Sequence, residues 1–513
     1  MSLLAVDLGS SQCKAVAFHA NGDAIAGSIR TYAPEFPEPS HCEMDPEKFW
    51  LAATEASRAA TRNLPGDPVQ AVCFSSHGET FIPADERGTA VAPAILNIDA
   101  RAATEAAWCE KAIGRRRLFA ITGLIAHPMY PLPKIIWLRR HRPDLAARTA
   151  RFLGVTDYIL RRLGLPPYMD YSLAGRFLAF DVGRHEWANE ILSLAELRPS
   201  HLPIPVPAGT IAGKLGAEGA RTLGVPAGTP VVVGGHDQVC GALGVGAIEK
   251  ARVSDSMGTY ECLLATSDAP VLDDNAFTAS LNSYSHVVPG KYATLAYFPS
   301  GIMVQWFREL VFGAQRSGGN SQAIPDKNLA YEWLESQCPP GPSGLCVTPH
   351  LIGTCNPDFD ERSRGVIFGL SPQSGCGHVY KGVLEGIACE LANVCDLLAK
   401  ACGEFGDIYA TGGGSRSHLG LRLRASFAAR RIHIMQNQES VCLGAAILAG
   451  VAAGTYGSIA DAVREVVHER EIVAPDPVAR ARYLPQIEKY RLLYSALAPV
   501  RDFEGSHDSL RRQ

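Results

Sequence analysis

The sequence is poor in features that mark several large classes of protein. It has no basic stripe, and its 513 residues carry a formal net charge of only −4. Nucleic-acid binders cluster Lys and Arg to neutralise phosphates, so no nucleic-acid partner is expected. The short runs Arg115-Arg116-Arg117 and Arg139-Arg140 fit solvated helix faces. The longest nearly apolar stretch, 443–454, is too short and too glycine-rich to cross a bilayer, so no membrane partner is expected. Asp7 interrupts the first apolar run and no basic segment precedes it, so a secretory signal is not expected. The fourteen cysteines include no Cys-x-x-Cys pair, so neither a zinc cluster nor a disulfide framework is indicated. Reduced thiols in a cytoplasmic enzyme are the expectation.

What is present is an ordinary globular composition, 47% apolar and 19% charged. The length exceeds one core and points to roughly two to four domains. Residues 3–6 form an apolar run, Asp7-Leu8-Gly9-Ser10-Ser11 punctuates it, and 14–19 resumes it, as in a β-hairpin. Asn21-Gly22-Asp23 marks a turn before a third strand at 24–29. Asp45-Pro46 supplies an N-cap and N1 pair for a helix whose apolar positions pass through Phe49, Trp50 and Ala53. A strand is predicted at 69–75.

The pattern returns later. An apolar strand at 230–234 runs into Gly235-His236-Asp237-Gln238, and strands at 253–258 and 261–265 flank Met257-Gly258-Thr259-Tyr260. The strand at 407–410 meets Thr411-Gly412-Gly413-Gly414-Ser415, followed by a helix to about 429 and a strand at 431–435. Each half opens with a hairpin around a small polar turn and then mixes strands with helices. Two α/β domains are expected, with a boundary near residue 250 and a cleft between them. The stretch 339–343 is expected to be a surface loop and the polar end 501–513 to fray.

Four of these turns carry chemistry. At Asp7-Leu8-Gly9-Ser10-Ser11-Gln12-Cys13-Lys14, small residues let backbone N–H groups approach an anion. Asp7 can hold Mg²⁺ through water, and Lys14 can neutralise phosphate charge. Met257-Gly258-Thr259 repeats the device, and two such turns can grip a polyphosphate from both sides. Asp237 ends a strand after Gly234-Gly235-His236, where a carboxylate can accept the proton of an attacking hydroxyl. The three glycines 412–414 allow backbone to lie flat against a nucleotide; the loop is neither a Walker A motif nor a spaced dinucleotide fingerprint. Taken singly, each also fits a plain turn or cap.

The ordered set resembles the FGGY carbohydrate kinases of the actin/Hsp70/sugar-kinase superfamily. The likeness rests on the turns at 7–11, 234–238, 257–259 and 412–415, together with Gly365-Val366-Ile367-Phe368-Gly369-Leu370 and Leu443-Gly444-Ala445-Ala446. It spans about residues 3–455 and implies two RNase H-like (actin-like ATPase) domains with an interdomain cleft. Residues 1–248 would hold the sugar, the first phosphate loop and the catalytic Asp. Residues 249–490 would hold the second loop and adenosine, and 491–513 a tail. The resemblance implies ATP and Mg²⁺ as cofactors, with Asp237 as general base and Asp7 near the metal. Ser10, Ser11, Gln12 and Lys14 match the first phosphate loop, and Gly258 and Thr259 the second. Gly301 and Gln305 match nucleotide-site positions, and Gly412, Gly413 and Ser417 lie beside the adenosine, although relatives often carry Asn at position 417. Dimers are frequent in the family.

The substrate end is mixed. Ser75-Ser76-His77-Gly78-Glu79-Thr80 joins the His-Gly typical of xylulokinases to the Glu-Thr typical of glycerol kinases. Sugar contacts are expected from His77, Gly78, Glu79, Asp99, Asp237 and Gln238. A buried Glu79 can accept two polyol hydrogen bonds; the alternative is a salt-bridged Glu at a strand end. Asp99 matches the Asp of a xylulokinase Trp-Asn-Asp-Gly-Arg segment, with Asn97 in place of the Trp. His127, Met129 and Tyr130 precede Lys134 near a Tyr position that contacts glycerol in glycerol kinases, and His127 reads as a loop residue. The segment 348–357 lacks the Glu-Arg pair of xylulokinases, and Leu173 stands where an Asp is usual. The expectation is ATP-dependent phosphorylation of a ketopentose such as xylulose. Glycerol or a tetritol is the alternative substrate, and a non-catalytic sugar sensor or chaperone-type ATPase the distant alternative.

Overall fold

A computed structural model of the chain describes residues 2–62, 64, 68–313 and 327–507. It contains two compact units, neither of them contiguous in sequence. The first comprises Met1–Arg252, Leu264–Leu295 and Gln436–His468; the second comprises Val253–Leu263, Ala296–Met435 and Glu469–Gln513.

A six-stranded sheet organises the first unit, in the order 211–214, 230–236, 69–76, 2–8, 12–19, 24–31. Strands Ser2–Leu8, Gln12–His19 and Ala24–Thr31 form the expected antiparallel meander, with Asp7 opposite Lys14. Strand Val69–Ser76 lies parallel to Ser2–Leu8 and sets Ser75 beside Asp7. Strand Pro230–His236 lies parallel to Val69–Ser76 and sets His236 beside Ser76. Because these three strands run the same way, their C-terminal ends deliver Asp7, Ser75, Ser76 and His236 to one edge, where open α/β sheets place their ligands.

The central strands are continuous apolar runs because both faces are covered. Leu4, Val6 and Leu8 join a core with Phe49 and Ala53 of the helix Pro46–Thr61. Leu3 faces the other way, toward Gly450 of the helix Ser440–Ala452. Asp45 caps the Pro46–Thr61 helix by accepting from the Glu47 amide. Helix Ser440–Ala452 crosses helix Asp237–Gly244 backbone to backbone. A Cβ on Gly444 would stand 1.9 Å from the Cys240 carbonyl oxygen, and one on Gly244 1.9 Å from that of Ser440. Burial beneath the sheet, not a bilayer, accounts for the apolar 443–454 stretch. No helix among the described residues is long and apolar enough to cross a membrane.

The second unit has a parallel core of Val253–Met257, Asp407–Thr411 and Arg431–Met435, extended by the antiparallel strand Glu469–Val473. Helix Cys376–Cys402 supplies Tyr380, Leu384 and Ala388 to a core shared with Phe427 of helix His418–Ala428 and Tyr483 of helix Pro477–Ala496. The three-glycine turn runs into a short 3-10 helix, Gly413–Arg416. The expected 339–343 surface loop is pinned at one end, where buried Ser343 donates to Glu385 at 2.5 Å. One local expectation changes. Residues 501–507 belong to the helix Ala498–His507, with Arg501 3.2 Å from Asp360; residues 508–513 lie outside the described residues.

The helix crossing is testable. Gly444→Val forces two backbones apart and is expected to lower unfolding free energy by about 2 kcal/mol or more, read from the denaturant midpoint. A wild-type midpoint would show that the crossing is loose.

Candidate active site

Asp237 opens the helix Asp237–Gly244 directly after the strand Pro230–His236. Burial, then the charges of Asp7 and Glu79, hold its carboxyl well above the usual aspartate range, against the opposing hydrogen bond from the Gln238 amide. Its side chain keeps 22% exposure, so a ligand can reach it. Gln238, the next residue, is also partly exposed. Asp7 accepts from Ser75 Oγ at 3.0 Å, and burial pushes its carboxyl up to about 6, against that bond and Lys14. The adjoining turn is closed by the Gly9 amide donating to the Gln12 carbonyl at 2.9 Å, leaving Ser10, Ser11 and Gln12 exposed. Lys14 pairs with Glu439 at 2.5 Å.

Behind Asp237 the chain packs tightly. A Cβ on Gly78 would lie 3.0 Å from Arg176 and 3.1 Å from His236, so glycine is what lets the three meet. Glu79 is 5% exposed and has φ of +61°, a left-handed conformation that is strained for a side-chain-bearing residue and clusters at functional sites. Its Oε1 accepts from Arg176 Nε at 2.5 Å. Burial alone would raise the Glu79 carboxyl, but the charge and hydrogen bond of Arg176 outweigh it and hold it below the usual range. Both ring nitrogens of His77 are engaged, Nδ1 with the Leu8 carbonyl and Nε2 with Thr80 Oγ1, each at 2.8 Å. His77 thereby braces the turn.

The sequence allows Glu79 a sugar or an unnamed salt-bridge partner; the structure supplies the partner as Arg176. That residue also donates to Asn282 at 3.0 Å, and neither residue had been singled out. One signal was available: Arg176 precedes the apolar run Phe177-Leu178-Ala179-Phe180, and an arginine so placed needs an acid. Asp99, expected as a sugar contact, is engaged within the protein. It is 1% exposed, Arg101 donates to both its oxygens, and the Cys42 amide donates to Oδ2 at 2.6 Å. A carboxylate so saturated orders its own loop. Lys134, fully buried, bridges that loop to the Glu79 turn by donating to the carbonyls of Leu96 at 2.7 Å and Glu79 at 2.9 Å. Burial pushes its ammonium down to about 7.

The second unit holds a cavity of about 660 Å³, within the usual size range of cofactor sites. Gly258, Thr259, Gly301, Gln305, Gly413 and Ser417 all line it, so these six expected nucleotide residues come together. Gly412 lies against the Met257 backbone, outside that lining. Ser417 caps helix His418–Ala428 by accepting from the Gly420 amide and donates to Glu335 at 2.6 Å. Arg424 holds Glu261 through two hydrogen bonds of 2.9 and 2.7 Å, and Ser300 Oγ donates to the same carboxylate at 2.7 Å. Glu261, Arg424 and Glu335 were not among the expected site residues.

Glycine turns around a nucleotide-sized cavity in one α/β unit, and a basic carboxylate at a strand end in the other, define a phosphotransferase of the actin-like ATPase type. The chain belongs to the FGGY family of carbohydrate kinases, whose N-terminal domain matches residues 2–244 and whose C-terminal domain matches residues 253–453. It is therefore an ATP-dependent sugar kinase. It is 28% identical over 468 residues to the gluconokinase of Bacillus subtilis (strain 168), covering 91% of this chain and 90% of that protein. It is 28% identical over 501 residues to the xylulose kinase of Escherichia coli (strain K12), covering 97% and 99%. The crystal structure of ligand-bound xylulose kinase from Lactobacillus acidophilus shares the fold, with a TM-score of 0.88 at 23% identity over 97% of this chain and 98% of that one.

Glu79→Ala strands the buried Arg176 charge and is expected to cost about 3–5 kcal/mol of stability by denaturant titration. A change under about 1 kcal/mol would mean that solvent already screens the pair.

Proposed function

We propose that the protein moves the γ-phosphoryl group of ATP to a hydroxyl of a small uncharged sugar, with a ketopentose such as xylulose as the leading candidate. The observation that carries this reading is the charge around Asp237. Asp7, Glu79 and Asp237 are acidic, Arg176 is committed to Glu79, and burial pushes the His236 ring down to about 3, so it stays neutral. Lys134 is tied to two carbonyls. A carboxylate-bearing acceptor such as gluconate would meet an acidic site whose named cations are engaged. His77-Gly78 and the similarity to xylulose kinases support a ketopentose. Glu79, whose Oε1 alone is bonded to Arg176, favours glycerol or a tetritol as the second reading.

In this reading Asp237 accepts the proton of the acceptor hydroxyl as its oxygen bonds to the γ-phosphorus and ADP leaves. Backbone N–H groups near Ser10, Ser11, Gln12, Gly258 and Thr259 stabilise phosphate oxygens, aided by Lys14. Gly301, Gln305, Gly413 and Ser417 receive the nucleoside end, against Gly412. Asp7 suits Mg²⁺: it is a hard oxygen donor, and a dication would relieve the repulsion it shares with Asp237. The ion would neutralise phosphate charge when bound.

Asp237→Asn is expected to keep ATP affinity and lose about 10²–10⁴-fold in turnover. Near-normal turnover would remove Asp237 from the chemistry. A base with a raised pKa works only when deprotonated, so kcat/KM is expected to fall as pH drops, with a midpoint well above the ordinary aspartate value of 3.8. An acid limb at or below that value would contradict the role. A panel of ketoses, polyols and aldonates, read by ADP release and product mass spectrometry, identifies the acceptor. Efficient phosphorylation of gluconate would overturn the uncharged-substrate reading.

A further inference from the structure

We propose that Glu79 and Arg176 together read one hydroxyl of the acceptor, which donates to Glu79 Oε2 and accepts from Arg176 Nη2, so that Arg176 is a specificity-determining residue. The hydroxyl in question is not the one that is phosphorylated. This rests on the reading of the acceptor as a small uncharged sugar.

The pair is joined by one hydrogen bond, from Arg176 Nε to Glu79 Oε1 at 2.5 Å. A guanidinium and a carboxylate can close on each other through two. Here Nη1 is spent on Asn282 Oδ1 at 3.0 Å, an oxygen that also accepts from the Tyr130 hydroxyl at 2.8 Å. Among the described residues no hydrogen bond takes up Glu79 Oε2 or Arg176 Nη2, and neither atom is sealed from solvent. The two side chains keep 6% and 2% exposure. A buried charged group left short of a hydrogen bond is costly, so two such openings in one ion pair mark a place for a ligand. The guanidinium is held in position for it. Arg176 lies over the rings of Tyr130 and Tyr284, at 5.4 and 5.0 Å, and the missing side chain of Gly78 makes room for its stem.

The place is beside the proposed base. Both charges act on the Asp237 carboxyl, Glu79 raising it and Arg176 lowering it. The chemistry then selects the group that fits. Oε2 only accepts and Nη2 only donates, whereas a hydroxyl does both through one oxygen. A carboxylate, a phosphate or a keto oxygen would satisfy Nη2 but confront Oε2, acceptor against acceptor. The matched charges of the pair also leave little net attraction for an anion. An acceptor therefore needs a second hydroxyl besides the one that receives phosphate.

The test uses the full-length enzyme with Mg-ATP and the best acceptor from the panel, alongside its monodeoxy forms: the deoxyxyluloses for xylulose, 1,2- and 1,3-propanediol for glycerol. In the wild type, removal of one particular hydroxyl is expected to lower kcat/KM about 10- to 100-fold, the effect of hydrogen bonds to charged groups. Glu79→Gln puts an N–H donor in the place of Oε2. In Arg176→Lys a single ammonium cannot serve both Glu79 and the substrate. Each variant is expected to lower kcat/KM for the complete acceptor by a similar factor, through the KM of the acceptor and not that of ATP. In each, loss of that same hydroxyl is expected to cost no more than about twofold further, because its contact is already gone. A pair that merely braces the fold would lower the melting temperature and leave the deoxy penalty at its wild-type size. Wild-type kcat/KM within about threefold for every monodeoxy form, or a penalty undiminished in the variants, would overturn the inference. Should one variant not fold, the other decides. Efficient phosphorylation of gluconate would refute the uncharged-acceptor reading and this inference with it. A xylulose or glycerol kinase with an undiminished penalty would refute only this inference.

Discussion

A guanidinium buried to 1% exposure demands an anion, and Arg176 meets that demand with Glu79 at 2.5 Å. Much of the sugar end follows from that pair. Glu79 can reach Arg176 while its backbone sits at φ of +61°, and Lys134 holds that turn by its carbonyl oxygen. Arg176 also donates to Asn282 and lies over the rings of Tyr130 and Tyr284, tying the strand Asn282–Ser285 to the chain around Gly78. Replacing such a pair by apolar residues is often neutral for stability, whereas removing one partner is costly. Its role here is geometric: it fixes where the neighbouring groups stand and lowers the acidity-driven repulsion around Asp237.

The second unit repeats the device with different residues. Glu261 is fully buried and Arg424 nearly so, and their two hydrogen bonds are reinforced by Ser300. Arg424 and Ser300 line the cavity that also receives Gly258 and Gly413. Each unit thus braces its ligand-facing turns with one buried Arg–Glu pair, so soft glycine-rich backbone is mounted on a rigid charged support. Polar atoms within such a frame have little freedom to relax when a highly charged nucleotide arrives.

What the sequence disclosed was local. The hairpins, the Asp45 cap and the three-glycine turn are written in neighbouring residues, by apolar alternation and turn chemistry, and the strands differ from expectation by only a few residues at their ends. The strands at 69–76 and 230–236 run longer than predicted because pairing with a neighbour continues through Ser76 and His236. What stayed hidden was non-local. Arg176 is 97 residues from Glu79, and Arg424 is 163 residues from Glu261, so no window of sequence shows either pair. Asp99 matched a family position, but the donors that saturate it, Arg101 and the Cys42 amide, emerge only from folding. The polar sequence of the C-terminal helix gives no sign of the contact between Arg501 and Asp360.

The first unit draws on three separated stretches, the last ending at His468. A ribosome that has released residue 252 has therefore not released the helix Ser440–Ala452, against which the Asp237 helix rests, nor the strand carrying Tyr284. At bacterial-type synthesis speeds of ~5–20 residues per second, the nascent half waits roughly 10–40 s for its missing pieces. During that interval the sheet face destined for Ser440–Ala452 is bare apolar surface. An uncovered apolar face during synthesis, and an incomplete first unit in any fragment cut near residue 250, are built into the order in which this chain leaves the exit tunnel.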